Sequence, residues 1–174
     1  MALLARWPAV LALAALCWSE TIGAQTAAAV TSTITVGGNV GQPMSLSVAD
    51  LKRYPAREVE YTPGRGEHKA GAEPARRYTG CLLRDVLAAA KPLENNPREL
   101  TKSYIIATAS DGYEVVFSWA ELFISPLGDS VFIVYERDGA ALPDDEGRIA
   151  LIVLTDIRPA RHVKWLKALT LRAA

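Results

Sequence analysis

The sequence predicts an α+β domain that contains a mixed β-sheet and a few short helices. Short segments in which apolar and polar residues alternate recur along the chain, and Gly, Pro or Asp-Gly pairs separate them. Between these segments lie short helical patterns that begin with capping residues. We expect roughly eight strands and three short helices, with no repeats and no low-complexity tracts.

Residues 1–24 have the pattern of a secretory signal peptide. Arg6 supplies the positive charge, residues 9–18 form the apolar stretch, and the small residues around 22–24 form a cleavage site. The apolar stretch is too short to span a bilayer. We therefore expect a periplasmic or secreted protein.

The mature part is predicted to be a single domain of residues 25–174, although cleavage after residues 27–29 is a second option. Cys17 raises the alternative of a lipoprotein, but the bulky Leu16 before it disfavours lipidation. At this length one domain has enough chain to bury a core.

Charge and cysteine content exclude several classes of protein. The chain has 19 basic and 19 acidic side chains, and removal of the signal peptide takes away only Arg6 and Glu20. This balance predicts no nucleic-acid partner and no general attraction to anionic membranes. Cys81 is the one cysteine after residue 24, so no intrachain disulfide is expected.

The first half of the mature chain is predicted to contain three strands, a short helix and a long loop. Ser47 caps the helix, which we expect over Val48–Tyr54, with Asp50 in its first turn. Loops as long as the polar segment 63–76 are usually functional or mobile. The predicted strands cover residues 31–36, 44–48 and 57–62.

The segment "YTGCLLRDVLAAAK" predicts an apolar helix that Pro92 ends, followed by a loop. Cys81 starts its apolar face, where a free cysteine is usually a small buried hydrophobic residue. The residues of that face are Leu82, Leu83, Val86, Leu87 and Ala90.

A hairpin is the strongest local signal. Two β-rich arms, residues 105–109 and 113–117, flank Asp111-Gly112, a pair that tolerates positive φ. Ser118 and Glu121 then form a capping box that opens another short helix. Further strands are expected over residues 131–136, 149–154 and 167–171, with a turn at Asp138-Gly139.

The segment "DIRPARHVKW" before the last strand gathers cations around a Trp. It is either a half-exposed strand or a cradle for an anion. Strand alternation would place Arg161 and Trp165 on one side and His162 and Lys164 on the other. A turn in the backbone would instead let Arg161 and Lys164 converge.

Several kinds of site lack their signature. The two histidines, His68 and His162, are not accompanied by a nucleophile elbow, and the sequence contains neither CxxC nor HxxxH. "GRGEHKAG" has glycines but no following helix, so it is a weak match to phosphate-binding loops. Aromatic residues are too scarce for a nucleic-acid stacking surface.

Four segments in order, "YTGCLLRDVL", "SDGYEVVFSWAEL", "RDGAAL" and "GRIALIVLTDIRPARHVKWLKALTL", are similar to one family. They resemble the oxidoreductase molybdopterin-binding domain, the sulfite-oxidase-like fold, in its short exported form. The likeness covers about residues 33–172.

The resemblance implies a set of cofactor-binding residues. An Arg-x-Val-Lys-Trp segment grips the phosphate end of the pterin cofactor in the family, and the hairpin lies beside the pocket. Planar Arg suits bidentate phosphate binding and Lys adds a point charge. The matching positions are Arg161, Val163, Lys164 and Trp165, with Ser110, Asp111, Gly112 and Tyr113 in the hairpin and His162 at the polar rim.

The chain departs from the family at the metal. The resemblance places a cysteine that ligates molybdenum near residues 61–70, where this chain reads "YTPGRGEHKA". Ala150 and Leu154 replace the usual arginine and proline, and His162 replaces an aromatic residue. We therefore expect pterin or molybdopterin as the ligand and no molybdenum.

Three hypotheses follow, in order of preference. The first is an exported, non-catalytic module that binds a small anionic heterocycle and reports to a membrane sensor or a redox partner protein. The second is a molybdopterin-dependent oxidoreductase acting on a small oxyanion or sulfoxide. The third is a scaffold or interaction domain that retains only the fold.

Overall fold

The computed structural model describes residues 30–63 and 74–173. The predicted signal peptide and most of the predicted loop 63–76 lie outside these ranges. Within them, ten strands are present: β1 (Thr33–Gly38), β2 (Met44–Ser47), β3 (Arg57–Tyr61), β4 (Arg76–Leu82), β5 (Tyr104–Ala109), β6 (Glu114–Ser118), β7 (Val131–Arg137), β8 (Ala140–Ala141), β9 (Ala150–Val153) and β10 (Leu166–Arg172).

The helices are short and begin with the polar caps that the sequence contains. Ser47 and Ser118 each form a capping box, with Asp50 and Glu121 respectively. Asn96 caps a helix in the segment that we predicted to be a loop. The described helices are α1 (Val48–Leu51), α2 (Leu83–Ala89), α3 (Pro97–Lys102) and α4 (Trp119–Phe123), with 3₁₀ turns at Pro126–Ser130 and Pro159–Arg161.

The strands form two mixed or antiparallel sheets in the described part of the chain. The first sheet has the order β2-β1-β10-β5-β6, and only the β1–β10 pair in it is parallel. The second sheet has the order β3-β4-β7-β8, with β9 also paired to β7. This arrangement confirms the predicted α+β class with a mixed sheet.

The two faces of the second sheet contribute to two separate apolar clusters. The larger cluster joins the inner residues of both sheets, for example Ile105 and Leu169 of the first and Ile133 of the second. The smaller cluster includes Tyr61 and Tyr78. Strand β7 is buried from Val131 to Tyr135, because it has a cluster on each side.

Strand β4 corrects the predicted helix around "YTGCLLRDVL". Cys81 and Leu82 belong to β4, where they pair with Ile133 and Phe132 of β7, and the helix begins only at Leu83. Ladder pairing with β7 outweighs the helical periodicity of these residues. Helix α1 is likewise shorter than predicted, since it ends at Leu51.

The remaining predicted strands are confirmed to within a few residues, and both Asp-Gly turns are present. Gly112 and Gly139 have φ values of 90° and 80°, as these tight hairpins require. None of the helices in the described ranges has the length and apolar composition needed to cross a bilayer.

Candidate functional site

A cleft of about 290 Å³ lies where the chain turns after β9 and before β10. The backbone does not continue as a strand here. It makes a 3₁₀ turn and then a single bridge at Val163, after which Trp165 has a φ of 48°. This turn lets His162 and Lys164 line the same cleft, together with Pro63, Glu146 and Pro159.

Hydrogen bonds hold the turn against β9 and the loop that precedes it. Val163 exchanges two backbone bonds of 2.9 Å with Leu151. The Trp165 backbone N–H donates to the Glu146 carbonyl at 2.8 Å, and its indole N–H donates to the Asp144 carbonyl at 2.8 Å. Glu146 and Lys164 are therefore positioned by the same small network.

Gly147 makes this close approach possible. An added Cβ would lie 2.8 Å from Trp165 Cα and 2.9 Å from its Cδ1, and Gly147 has a φ of 82°. We expect Gly147→Ala to lower the free energy of unfolding more than Gly139→Ala, whose φ is 80° but whose Cβ would meet nothing within 4 Å. Urea unfolding of both variants measures the difference; equal losses would show that contact with Trp165 is unimportant.

His162 is a neutral group in the wall of the cleft. Its ring packs edge-on against Tyr61 with 5.5 Å between centroids, and its Nε2 is buried without a hydrogen-bond partner among the described residues. Burial, and secondarily the charge of Lys164, lowers the His162 pKa from 6.5 to about 4.

This depressed pKa predicts a pH dependence of stability. Between pH 6.5 and about 4 the unfolded chain binds a proton at His162 that the folded chain does not, so the folded state is destabilised as the pH falls through this window. The stability of wild type relative to His162→Gln should therefore fall by up to about 1.4 kcal/mol per pH unit. Urea unfolding at pH 7.5, 6, 5 and 4.5 measures it; a constant difference would contradict a buried neutral imidazole.

Glu146 is an almost completely buried acid in the same cleft, with 4% of its surface exposed. Its Oε1 accepts hydrogen bonds from Tyr78 Oη at 3.2 Å and from Arg137 Nη1. Its Oε2 is buried and has no partner in the described part of the chain. Burial, followed by the charge of Glu146, raises the pKa of the Tyr78 hydroxyl, so Tyr78 stays a hydrogen-bond donor.

Lys164 lines the cleft as a cation with no ion-pair partner among the described residues. Arg161 differs in this respect. Its Nε donates to Asp156 Oδ2 at 2.8 Å, its Nη2 pairs with Asp156 Oδ1, and its Nη1 lies 3.6 Å from Glu121. The guanidinium also lies over the Phe117 ring at 5.1 Å. Arg161 thus ties the turn to β6 and α4.

The hairpin supports the same turn through its backbone and one side chain. Ser110 N–H donates to the Trp165 carbonyl at 3.0 Å, and Asp111 Oδ1 accepts from Tyr113 N–H at 2.9 Å. The Tyr113 hydroxyl donates to the Ala160 carbonyl. The hairpin therefore contacts the segment that carries His162 and Lys164.

Cys81 lies on the opposite face of the second sheet from Tyr61 and Tyr78. Its side chain is fully buried in the larger apolar cluster, whereas the two tyrosines belong to the smaller one. Burial raises the pKa of the Cys81 thiol to about 12. The interpretation of Cys81 as a buried hydrophobic residue fits this position, although the predicted helical setting was wrong.

We expect the Cys81 thiol to be inert in the folded protein. In a Cys17→Ser variant, where Cys81 is the remaining cysteine, a thiol reagent at pH 8 should react only after urea is added. Fast reaction without urea would contradict the buried position. Cys81→Ala should retain any ligand that the cleft binds.

The seven predicted site residues divide into two groups. His162 and Lys164 line the cleft. Ser110, Tyr113, Arg161 and Trp165 make the contacts that position the turn, and Asp111 bonds within the hairpin. A cofactor-binding role for these residues stays a prediction. Glu146, Pro63 and Pro159 were missed, because "DDEGR" reads as a solvated turn and nothing in the sequence marks its third acid as buried.

Comparison with known proteins decides the family. A family model described as the oxidoreductase molybdopterin binding domain matches residues 23–174. The chain belongs to this family. The resemblance noted from the four sequence segments is therefore confirmed.

Sulfite oxidases are among the relatives of this molybdopterin-binding-domain protein. Mitochondrial sulfite oxidase of Rattus norvegicus is 31% identical over 151 residues, which are 75% of this chain and 27% of that protein. Sulfite oxidase of Gallus gallus is 29% identical over 152 residues, 76% of this chain and 33% of that protein. The chain thus spans about a quarter to a third of the length of these curated relatives.

A solved structure confirms the fold. The crystal structure of the sulfane dehydrogenase SoxCD from Paracoccus pantotrophus superposes with a TM-score of 0.61 at 19% sequence identity. The match covers 82% of this chain and 39% of that one. Together with the family match and the sulfite oxidase relatives, this likeness confirms the predicted sulfite-oxidase-like fold.

Proposed function

We propose that this protein is an exported, non-catalytic module that binds a pterin through the cleft at His162 and Lys164. The family establishes a molybdopterin-binding, oxidoreductase-like domain; the finer statements on export, ligand and lack of catalysis are ours. One observation carries the proposal. Lys164, which has no ion-pair partner among the described residues, lines the same cleft as His162 and Glu146, each of which has a buried polar atom without a hydrogen-bond partner. Cys81 lies on the other face of the second sheet.

The residues of the cleft fit the organic part of the cofactor. Lys164 can attract a phosphate or another anionic group, and the buried Nε2 of His162 and Oε2 of Glu146 need partners that a polar heterocycle supplies. The ring edge of Tyr61 packs against His162 and Tyr78, which keeps this wall apolar between its polar groups. A flat ring with hydrogen-bonding groups at its edge suits such a lining.

The described residues do not fit the metal. Molybdenum bonded to the pterin dithiolene takes a protein thiolate as a soft ligand, and Cys81 is on the wrong face of the sheet with a pKa raised to about 12. No cysteine is present in residues 61–70, where the resemblance places the ligand. We therefore infer binding of a pterin or of molybdopterin without the metal's redox chemistry.

Arg161 changes which residue would bind the anion. A phosphate at its guanidinium would have to displace Asp156 and compete with Glu121. We therefore assign the anionic contact to Lys164 and a positioning role to Arg161.

Occupancy of the cleft would be read by a membrane sensor or a redox partner protein. Support for this comes from the exposed apolar side chains beside the turn, since Ile157 is 70% exposed and Tyr113 is 45% exposed. Tyr113 also donates its hydroxyl to the turn at Ala160. We propose that the partner contacts these exposed side chains.

Fluorescence titration tests the binding proposal. The fluorescence of pterin should be quenched in a saturable way when the purified protein binds it. Protein supplied with molybdate should show no turnover of sulfite or sulfoxides. A pterin fluorescence signal that does not saturate and equals the signal measured without protein would overturn the proposal. Turnover that depends on added molybdenum would instead favour the oxidoreductase hypothesis.

A further inference from the structure

The proposed function leaves open which part of the ligand meets the unpartnered carboxylate oxygen of Glu146. Glu146 is 4% exposed, it lines the cleft, and its Oε2 is buried without a partner among the described residues. Buried carboxylate oxygens nearly always accept hydrogen bonds. A cleft that bound only an anion would also gain nothing from the acidic side chain of Glu146, which would repel that anion.

The surroundings of Glu146 fix it as an acceptor. Arg137 and Tyr78 both donate to Oε1, and Arg137 also forms an ion pair with that oxygen. Carboxylate oxygens accept hydrogen bonds, so the unpartnered Oε2 offers an acceptor to a ligand. The Glu146 carbonyl accepts from Trp165 N–H, which fixes the position of the residue relative to Lys164.

We propose that Glu146 determines specificity by accepting hydrogen bonds from the 2-amino-pyrimidinone edge of a pterin; this inference rests on the proposed function. That edge presents neighbouring N–H donors, which match a carboxylate acceptor. Lys164, on the same cleft, takes an anionic or carbonyl group of the ligand. In the cleft, Glu146 therefore offers an acceptor to the N–H groups of the ligand, and Lys164 offers a cation to its anionic or carbonyl group.

The same arrangement rejects related rings. Lumazine is the pteridine that carries an oxo group at C2 in place of the amino group of pterin. Its C2 oxygen would face the Glu146 carboxylate as a second acceptor, which is repulsive and leaves both groups unpaired. Sites built around a buried polar partner discriminate strongly against ligands that lack the matching group.

The test compares pterin with lumazine by fluorescence titration of the full-length protein. Wild type should bind pterin at least about 10-fold more tightly than lumazine. Glu146→Gln should lose most of this preference, because its amide can donate to the C2 oxygen. Asp145→Asn is the matched control, since Asp145 is an exposed acid next in sequence, and it should keep the preference.

The outcomes separate the two proposals. Equal binding of pterin and lumazine by wild type would overturn the role of Glu146 and leave the proposed function standing. Binding of neither ring would overturn the proposed function and this inference with it. Circular dichroism checks the fold of each variant, and if Glu146→Gln unfolds, Glu146→Asp replaces it: a shorter carboxylate should reduce the preference, and an unchanged preference would count against Glu146.

Discussion

Lys164→Met is expected to weaken pterin binding by about 10- to 100-fold and to leave the free energy of unfolding close to that of wild type. Lys164 lines the cleft and has no ion-pair partner among the described residues, so its charge is available to a ligand. Hydrogen bonds to charged groups contribute about 1.5–3 kcal/mol, which corresponds to that loss of affinity. Methionine keeps the length and the apolar stem of the side chain.

Lys167→Met provides the matched control. Lys167 lies three residues away on β10 and is exposed, so the loss of its charge should leave the pterin affinity unchanged. Titration of the three proteins at two salt concentrations measures the effect. Equal weakening by both variants would mean that general charge, rather than the cleft, attracts the ligand.

Arg161→Met is expected to lower the free energy of unfolding by about 2–3 kcal/mol. The side chains of Arg161 and Asp156 are 26% and 16% exposed, and removal of one partner leaves the other as a partly buried, unpaired charge. Breaking fully buried pairs costs about 3–5 kcal/mol, and partial exposure reduces that figure. Affinity for pterin should fall too, because the turn that carries His162 and Lys164 loses its tie to α4 and β6.

Arg158→Met is the control for this prediction, since Arg158 is exposed and precedes the same turn. Urea unfolding should show little change for it. In a double-mutant cycle with Asp156→Asn, most of the stability lost in Arg161→Met should be accounted for by the coupling energy between the two residues. If Arg161→Met kept wild-type stability and abolished binding, its guanidinium would be the group that contacts the ligand.

Local signals in the sequence were sufficient for most of the fold. The hairpin at Asp111-Gly112 and the capping box at Ser118 depend on a few adjacent residues, and both are present as predicted. Cys81 was misplaced because its strand is specified by partners far along the chain. Its neighbour in the ladder is Ile133, and no local pattern records that pairing.

Only part of the candidate site could be predicted from the sequence. The basic segment located the turn, and His162 and Lys164 do line the cleft. The pairing of Arg161 with Asp156 could not be predicted because it depends on how the chain turns after β9. The burial of Glu146 could not be predicted because it depends on how the loop before β9 packs against that turn. The sequence shows which side chains are charged, but only the structure shows which of them already have a partner and which can bind a ligand.

The most direct test of a pterin-binding module without molybdenum is a chemical analysis of the natively produced protein. The mature protein is purified from its own exporting cells, its bound small molecules are released and identified by mass spectrometry, and molybdenum is measured on the same sample. We expect a released pterin and molybdenum far below one atom per chain, as a metal-free pterin-binding module requires. Molybdenum at one atom per chain, or protein that releases no pterin, would contradict it.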